Sequence, residues 1–139
     1  MSTGVIASAV LIAVAFAAWP LLGREARVGG AWMSVVVMVG SALTVSALSA
    51  SKLSGFPVGR AWWWLAGAAV ANGVAVYVYA SRAADPLVPT AAFLVTVSVL
   101  QVAAIPLLSW ALPGGAAPTA RQAAGFVLAA VAVYLLARN

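Results

Sequence analysis

Five long apolar stretches, separated by short breaks rich in charged residues, glycine and proline, constrain this 139-residue chain more than any other feature. Hydrophobic residues make up 65% of it and charged residues 6%, whereas a soluble domain carries about 25% charged residues. A stretch of about 20 apolar residues is long enough to cross a bilayer as a helix. The sequence therefore predicts an all-α integral membrane protein with five transmembrane helices.

The breaks between the stretches contain the residue types that end helices. The predicted spans cover residues 4–22, 32–50, 60–81, 87–112 and 119–137. Pro86 disfavours helix at Asp85, and Thr119 with Gln122 forms a capping-box pattern at the start of the fifth span. Because the spans use most of the chain, we expect residues 1–139 to form a single transmembrane domain.

The chain contains no Cys and no His, which excludes disulfides, thiolate nucleophiles, the commonest metal ligand and the usual general base. The two acidic residues, Glu25 and Asp85, both fall in predicted loops. We therefore expect no enzyme activity, no metal and no cofactor. The net charge of +5 is spread over the ends of the spans, a pattern that favours topology markers over a nucleic-acid-binding surface.

Positive side chains are divided almost evenly between the two sides that five spans define. One side receives three (Lys52, Arg60 and Arg121) and the other receives four (Arg24, Arg27, Arg82 and Arg138). Orientation follows the excess of Lys and Arg in short loops, so a difference of one is a weak bias. Two interpretations stay open: dual topology with an antiparallel homodimer, or a single orientation fixed by the Arg pair after the first span.

The C-terminal part of the chain carries a family resemblance. The run from Tyr79 to Pro86, the apolar span interrupted by Pro106, and the segment from Pro118 to Gly125 that leads into the last span resemble the end of an EamA-like repeat. This five-helix repeat belongs to the drug/metabolite transporter superfamily, whose typical members fuse two repeats into ten helices. The chain is similar to half of that architecture, which implies an α-helical transporter with a central path between two inverted halves.

Two departures from the family pattern concern acidic residues. Many relatives carry a Gly-Glu pair before the final helix, where this chain has Gly114 and Gly115. Small multidrug-resistance relatives carry a membrane-embedded Glu in their first helix, and the first span here has no acidic residue. These departures argue against proton-coupled export of cationic drugs.

Polar residues and a proline within the spans form the candidate substrate-binding site. Asn72 and Tyr79 are seven residues apart in the third span and share a helix face, and Ser98 lies one turn before Gln101 in the fourth. Pro106 lacks an N–H and frees a backbone carbonyl close to Gln101. Structural alternatives stay open, because Asn72 can bond a neighbouring helix and Pro106 can mark a packing kink.

The predicted function is alternating-access movement of a small neutral, zwitterionic or amphipathic metabolite by a homodimer, surrounded by lipid, in a bacterial-type inner membrane. Gly125 and Ala129 form a small-xxx-small pair that suits contact between two copies, and Gly67 with Ala71 forms a similar pair. Two alternatives remain. One is a flippase for a lipid or lipid-linked headgroup, and the other is a structural or assembly subunit without a substrate.

Overall fold

The computed structural model describes residues 3–112 and 115–137, and within these residues it is helical and has no strand. The helices are α1 (Thr3–Glu25), α2 (Gly30–Ser49), α3 (Arg60–Ala83), α4 (Thr90–Ala111) and α5 (Ala120–Ala137). A 3₁₀ turn over Ala50–Lys52 follows α2. The predicted all-α fold with five helices is confirmed. Two residues used in the sequence-based predictions lie outside the described residues: Gly114 of the family comparison and Arg138 of the charge balance.

Four helices are long and apolar enough to cross a membrane, namely α1, α2 with its 3₁₀ extension, α3 and α4. The fifth helix, α5, has a shorter apolar segment, Ala120–Leu135. Large apolar side chains on these helices are largely exposed; Leu11 is 71% exposed and Leu48 is 74% exposed. Apolar surface on this scale is unfavourable in water but favourable against lipid. These are the properties of an integral membrane protein.

The first helix ends in a turn with left-handed backbone. The Arg27 N–H donates to the Arg24 carbonyl at 3.0 Å, and Arg27 has a φ of 54°. A left-handed residue commonly ends a helix, although glycine is the usual occupant. The helix continues to Glu25, past the predicted span end at Leu22, because charge alone does not end a helix and both Arg and Glu have high helix propensity.

A side-chain hydrogen bond shapes the turn between α3 and α4. The Leu87 N–H donates to Asp85 Oδ1 at 2.9 Å, which is an Asx turn. As Pro86 predicts, α3 ends before Asp85. The fourth helix begins at Thr90, not at Leu87, because the Asx turn and Pro89 keep the intervening backbone out of helical conformation.

The chain divides into two compact units, one containing α1 to α3 and ending at Val88, the other beginning at Pro89 and containing α4 and α5. In the first unit, α3 packs against α2 and, over a smaller surface, against α1. In the second unit, α4 packs against α5. The residues predicted to form a single transmembrane domain thus contain two separately packed helix groups.

The buried core of the first unit lies at one end, where α1 ends, α2 begins and α3 ends. It consists of Met33, Ala80 and Ala83, with Trp19 and Ala84 packed against it. At Gly30 a Cβ atom would collide with the backbone of Ser81. Here α2 and α3 touch backbone to backbone, so glycine is required at this position.

Candidate functional site

Asn72 lies near the middle of α3 and faces α2. Its Nδ2 donates to the sulfur of Met38 at 3.7 Å, and a thioether sulfur is a weak acceptor. The side chain is exposed, and its Oδ1 accepts no hydrogen bond from the described residues. Asn72 therefore makes the helix-to-helix bond that the sequence left open, and the carbonyl end of its amide can still accept a second bond.

Tyr79 lies at the packed end of α3 and faces α1. Its ring lies against the ring of Trp19, with 5.1 Å between centroids and a 45° angle between planes, which is a favourable aromatic arrangement. The two predicted residues of α3 therefore meet different neighbours. Tyr79 contacts α1, whereas Asn72 contacts α2.

Ser98 and Gln101 lie on consecutive turns of α4 and differ in how their polar atoms are satisfied. Ser98 Oγ donates to the Leu94 carbonyl of its own helix at 2.9 Å, so its hydroxyl hydrogen is already used. Gln101 is exposed and makes no hydrogen bond with any described residue. Of the 22 residues of α4, eleven precede Gln101 and ten follow it. The helix therefore carries, at its midpoint, a carboxamide without a partner among the described residues.

Pro106 lies inside α4, and the helix continues past it to Ala111. Because proline has no N–H, the carbonyl of Val102 has no helical donor four residues later. Val102 directly follows Gln101, so one turn of α4 offers both an amide side chain and a freed backbone acceptor. This pair belongs to the second compact unit, whereas Asn72 and Tyr79 belong to the first.

Carboxylates are confined to helix ends and turns in this structure. Glu25 is the last residue of α1, and Asp85 lies in the turn after α3. Among the described residues, no group of three or more His, Cys, Asp or Glu could hold a metal ion. The polar chemistry within the helices therefore comes from amides, hydroxyls and backbone carbonyls.

A further aromatic site, in the loop between α2 and α3, was not predicted from the sequence. The ring of Phe56 lies 5.3 Å from the ring of Trp62, centroid to centroid, and these residues line a shallow cavity of about 270 Å³. Phe56 lies in the loop and Trp62 in the first turn of α3, so neither belongs to the polar residues of the predicted site. The signal that could have found the site is the pair Gly55 and Gly59, which brackets Phe56 with two turn-forming residues.

Comparisons with protein-family models, with curated proteins and with solved structures find no match for this chain. The class of protein therefore follows from the fold and composition alone. It is an all-helical protein, four of whose helices are long and apolar enough to cross a membrane.

Proposed function

We propose that the protein is a small membrane transporter, a single EamA-like five-helix repeat of the drug/metabolite type that acts as a homodimer, preferentially antiparallel. It moves a small neutral, zwitterionic or amphipathic metabolite by alternating access across a bacterial-type inner membrane. The observation that carries the proposal is the carboxamide of Gln101 at the midpoint of α4, without a partner among the described residues.

Hydrocarbon cannot satisfy an exposed carboxamide. An amide without a partner costs about 1–3 kcal/mol by protein mutational data, and polar groups within spans usually face a bundle interior or a water-filled cavity. An amide both donates and accepts, so it suits neutral and zwitterionic polar groups. The freed carbonyl of Val102 adds an acceptor beside it. Since Glu25 is the last residue of α1 and Asp85 lies in the turn after α3, the site offers no carboxylate to select a cation.

In the proposed homodimer, the second copy supplies the walls of the transport path that a single copy lacks. Most large apolar side chains of the described helices are exposed, so a single copy encloses little space. A Cβ atom at Gly125 on α5 would meet no described atom within 4 Å, which leaves room for a close helix neighbour. A residue at mid-span keeps its depth when the molecule is inverted. Gln101 of both copies can therefore face one cavity in an antiparallel pair.

Uptake into vesicles reconstituted with the full chain tests the proposal. We would screen radiolabelled amino acids, polyamines and lipophilic cations, and compare wild type with Gln101→Leu and Gln101→Asn. We expect Gln101→Leu to abolish uptake of the transported compound and Gln101→Asn to retain part of it, because the shorter side chain keeps the amide. Thr44→Val in α2 is the control and should transport normally, since Thr44 lies outside the candidate site and its Oγ1 donates to the Gly40 carbonyl of its own helix.

The outcomes separate the alternatives. Lost uptake with a dimer that still forms at high protein-to-lipid ratio supports a transport path, whereas a Gln101→Leu variant that stays monomeric at that ratio supports an assembly subunit. Transbilayer movement of a labelled phospholipid, without uptake of soluble compounds, supports a flippase. A side-sensitive reporter at the C-terminus that gives signal in one compartment only would rule out the inverted pair.

A further inference from the structure

The loop between α2 and α3 is held in a defined shape by two glycines and an aromatic pair. Gly55 and Gly59 both have a φ of 64°, a left-handed conformation that other residues rarely adopt. Between them the chain turns so that the ring of Phe56 lies against the ring of Trp62 in the first turn of α3, with a 38° angle between the ring planes. Phe56 and Trp62 thus form an aromatic corner at the N-terminal end of α3.

This corner surrounds a shallow cavity with apolar walls. The cavity has a volume of about 270 Å³ and is lined by Phe56, Pro57, Val58, Gly59, Trp62 and Trp63. Phe56 is 72% exposed and Trp63 is 75% exposed. Aromatic side chains at the end of a span belong to the zone where headgroups meet acyl chains. The cavity is therefore placed to receive the glycerol region of a lipid.

Two cationic residues lie close to the cavity-lining residues along the chain, and the loop contains no acidic residue. Lys52 ends the 3₁₀ turn before the loop, and Arg60 is the first residue of α3, directly after Gly59 of the cavity wall. Neither side chain makes an ion pair or hydrogen bond with a described residue. The sequence has no Asp or Glu between Glu25 and Asp85. The electrostatic potential around this loop therefore favours an anion.

We infer that the loop from Lys52 to Trp63 is a binding site for an anionic phospholipid, whose phosphate lies against Lys52 and Arg60 and whose glycerol and upper acyl chains occupy the aromatic cavity. The apolar walls select a lipid over a free phosphate, and the cations select an anionic headgroup over a zwitterionic one. A second copy of the same loop would bring like charges together, so self-association at this surface is disfavoured. This lipid site does not depend on the proposed transport activity, and each can be tested without the other.

Native mass spectrometry of the purified full chain tests this site. The protein is equilibrated with phosphatidylglycerol and phosphatidylcholine of identical acyl chains, and the ratio of their apparent affinities is measured. Each basic residue near an anionic surface strengthens binding by roughly fivefold. We expect wild type to prefer phosphatidylglycerol and Lys52→Gln/Arg60→Gln to lose about 25-fold of that preference.

Two variants serve as controls. Arg27→Gln/Arg82→Gln removes the same charge from the turn after α1 and from the last turn of α3 and should keep the preference, while Lys52→Arg/Arg60→Lys keeps the charge and should also keep it. Circular dichroism of each variant checks that its helices are intact. Equal binding of the two lipids by wild type, or an equal loss in both Gln variants, would overturn the inference.

A second measurement locates the lipid and distinguishes it from free phosphate. Phosphatidylglycerol brominated near the start of its acyl chains should quench tryptophan emission of wild type more than that of Trp62→Phe/Trp63→Phe. Millimolar inorganic phosphate should leave the quenching unchanged. Equal quenching of both proteins, or displacement of the lipid by inorganic phosphate, would contradict a lipid site in this cavity.

Discussion

The α2–α3 pair and the α4–α5 pair show two ways in which an apolar helix pair deals with a polar side chain. In the first pair, Asn72 of α3 donates to Met38 of α2, and Gly30 lets the two backbones touch. In the second pair, Gln101 has no hydrogen bond with the described residues, and the glycine at Gly125 has open space beside it. The first pair gives its amide one hydrogen bond between the helices, whereas the second pair gives its amide none among the described residues.

The largest effect should come from filling the backbone contact of the first pair. In Gly30→Val, the added side chain meets the backbone of Ser81, which cannot move away as a flexible side chain can. We expect the free energy of unfolding in mixed micelles to fall by about 3 kcal/mol, the upper part of the range for overpacking.

Gly40→Ala is the matched control for this variant, because a Cβ atom at Gly40 on the same helix meets no described atom within 4 Å. Its stability should stay level or rise by up to about 1 kcal/mol, since alanine favours helix. If the Gly30 and Gly40 variants behaved alike, the close approach of α2 and α3 would be wrong.

Removing each amide in turn sharpens the contrast between the pairs. We expect Gln101→Leu to weaken homodimer association by about 1–2 kcal/mol, because interhelical hydrogen bonds in membranes have this value in model peptides. Asn72→Leu should leave association unchanged, because its partner Met38 belongs to the same chain. Förster transfer between labelled copies at decreasing protein-to-lipid ratio measures both. If Asn72→Leu weakened association as much as Gln101→Leu, the difference drawn between the two helix pairs would be wrong.

The start of α5 offers a local test within the second pair. The Thr119 N–H donates to Gln122 Oε1 at 2.7 Å, and the Gln122 N–H donates to Thr119 Oγ1 at 3.3 Å. Thr119→Val removes the hydroxyl acceptor and should lower stability by about 1 kcal/mol. Hydrogen exchange in the first turn of α5 should rise accordingly.

Thr44→Val is the control for the capping test. Thr44 Oγ1 donates to the Gly40 carbonyl within α2 at 2.8 Å, so the hydroxyl fulfils no capping role and its loss should change stability little. A loss in Thr44→Val equal to that in Thr119→Val would show that the α5 cap contributes nothing specific.

The smallest effect concerns the left-handed residue between α1 and α2. Arg27 has a φ of 54°, which costs a side-chain-bearing residue free energy that glycine does not lose. Arg27→Gly should raise the unfolding free energy by about 0.5 kcal/mol. Arg27→Lys keeps both the Cβ atom and the charge and should change nothing, while a fall in stability for the glycine variant would contradict the strained conformation.

Local features of this fold were predictable from the sequence, since they depend on neighbouring residues. The five helices, the stop before Asp85 and the capping box at Thr119 all follow from short patterns. Contacts between helices were not predictable, because these helices are apolar on every side. Where a soluble helix shows its buried face as a stripe, here the pattern does not reveal which face meets a neighbour.

The candidate site likewise combines local features that the sequence predicts with contacts that it does not predict. That Gln101 and Pro106 share a stretch of helix could be read from their spacing. The contact between Asn72 and Met38, 34 positions earlier, could not be read from the sequence, because it depends on how α2 and α3 are rotated about their axes. The aromatic corner at Phe56 depends on two backbone conformations in a loop, and residue type alone does not specify them.

Gly59 has consequences for how such a chain can change over generations. With φ at 64° and ψ at −134°, it holds a conformation essentially closed to residues with a side chain. Neighbours with a negative φ, such as Leu53 at −71°, can vary more freely, but a replacement at Gly59 would shift the starting point of α3 and displace the tryptophans that follow it. Among divergent descendants of this sequence, Gly59 should therefore persist where Leu53, Ser54 and Val58 drift.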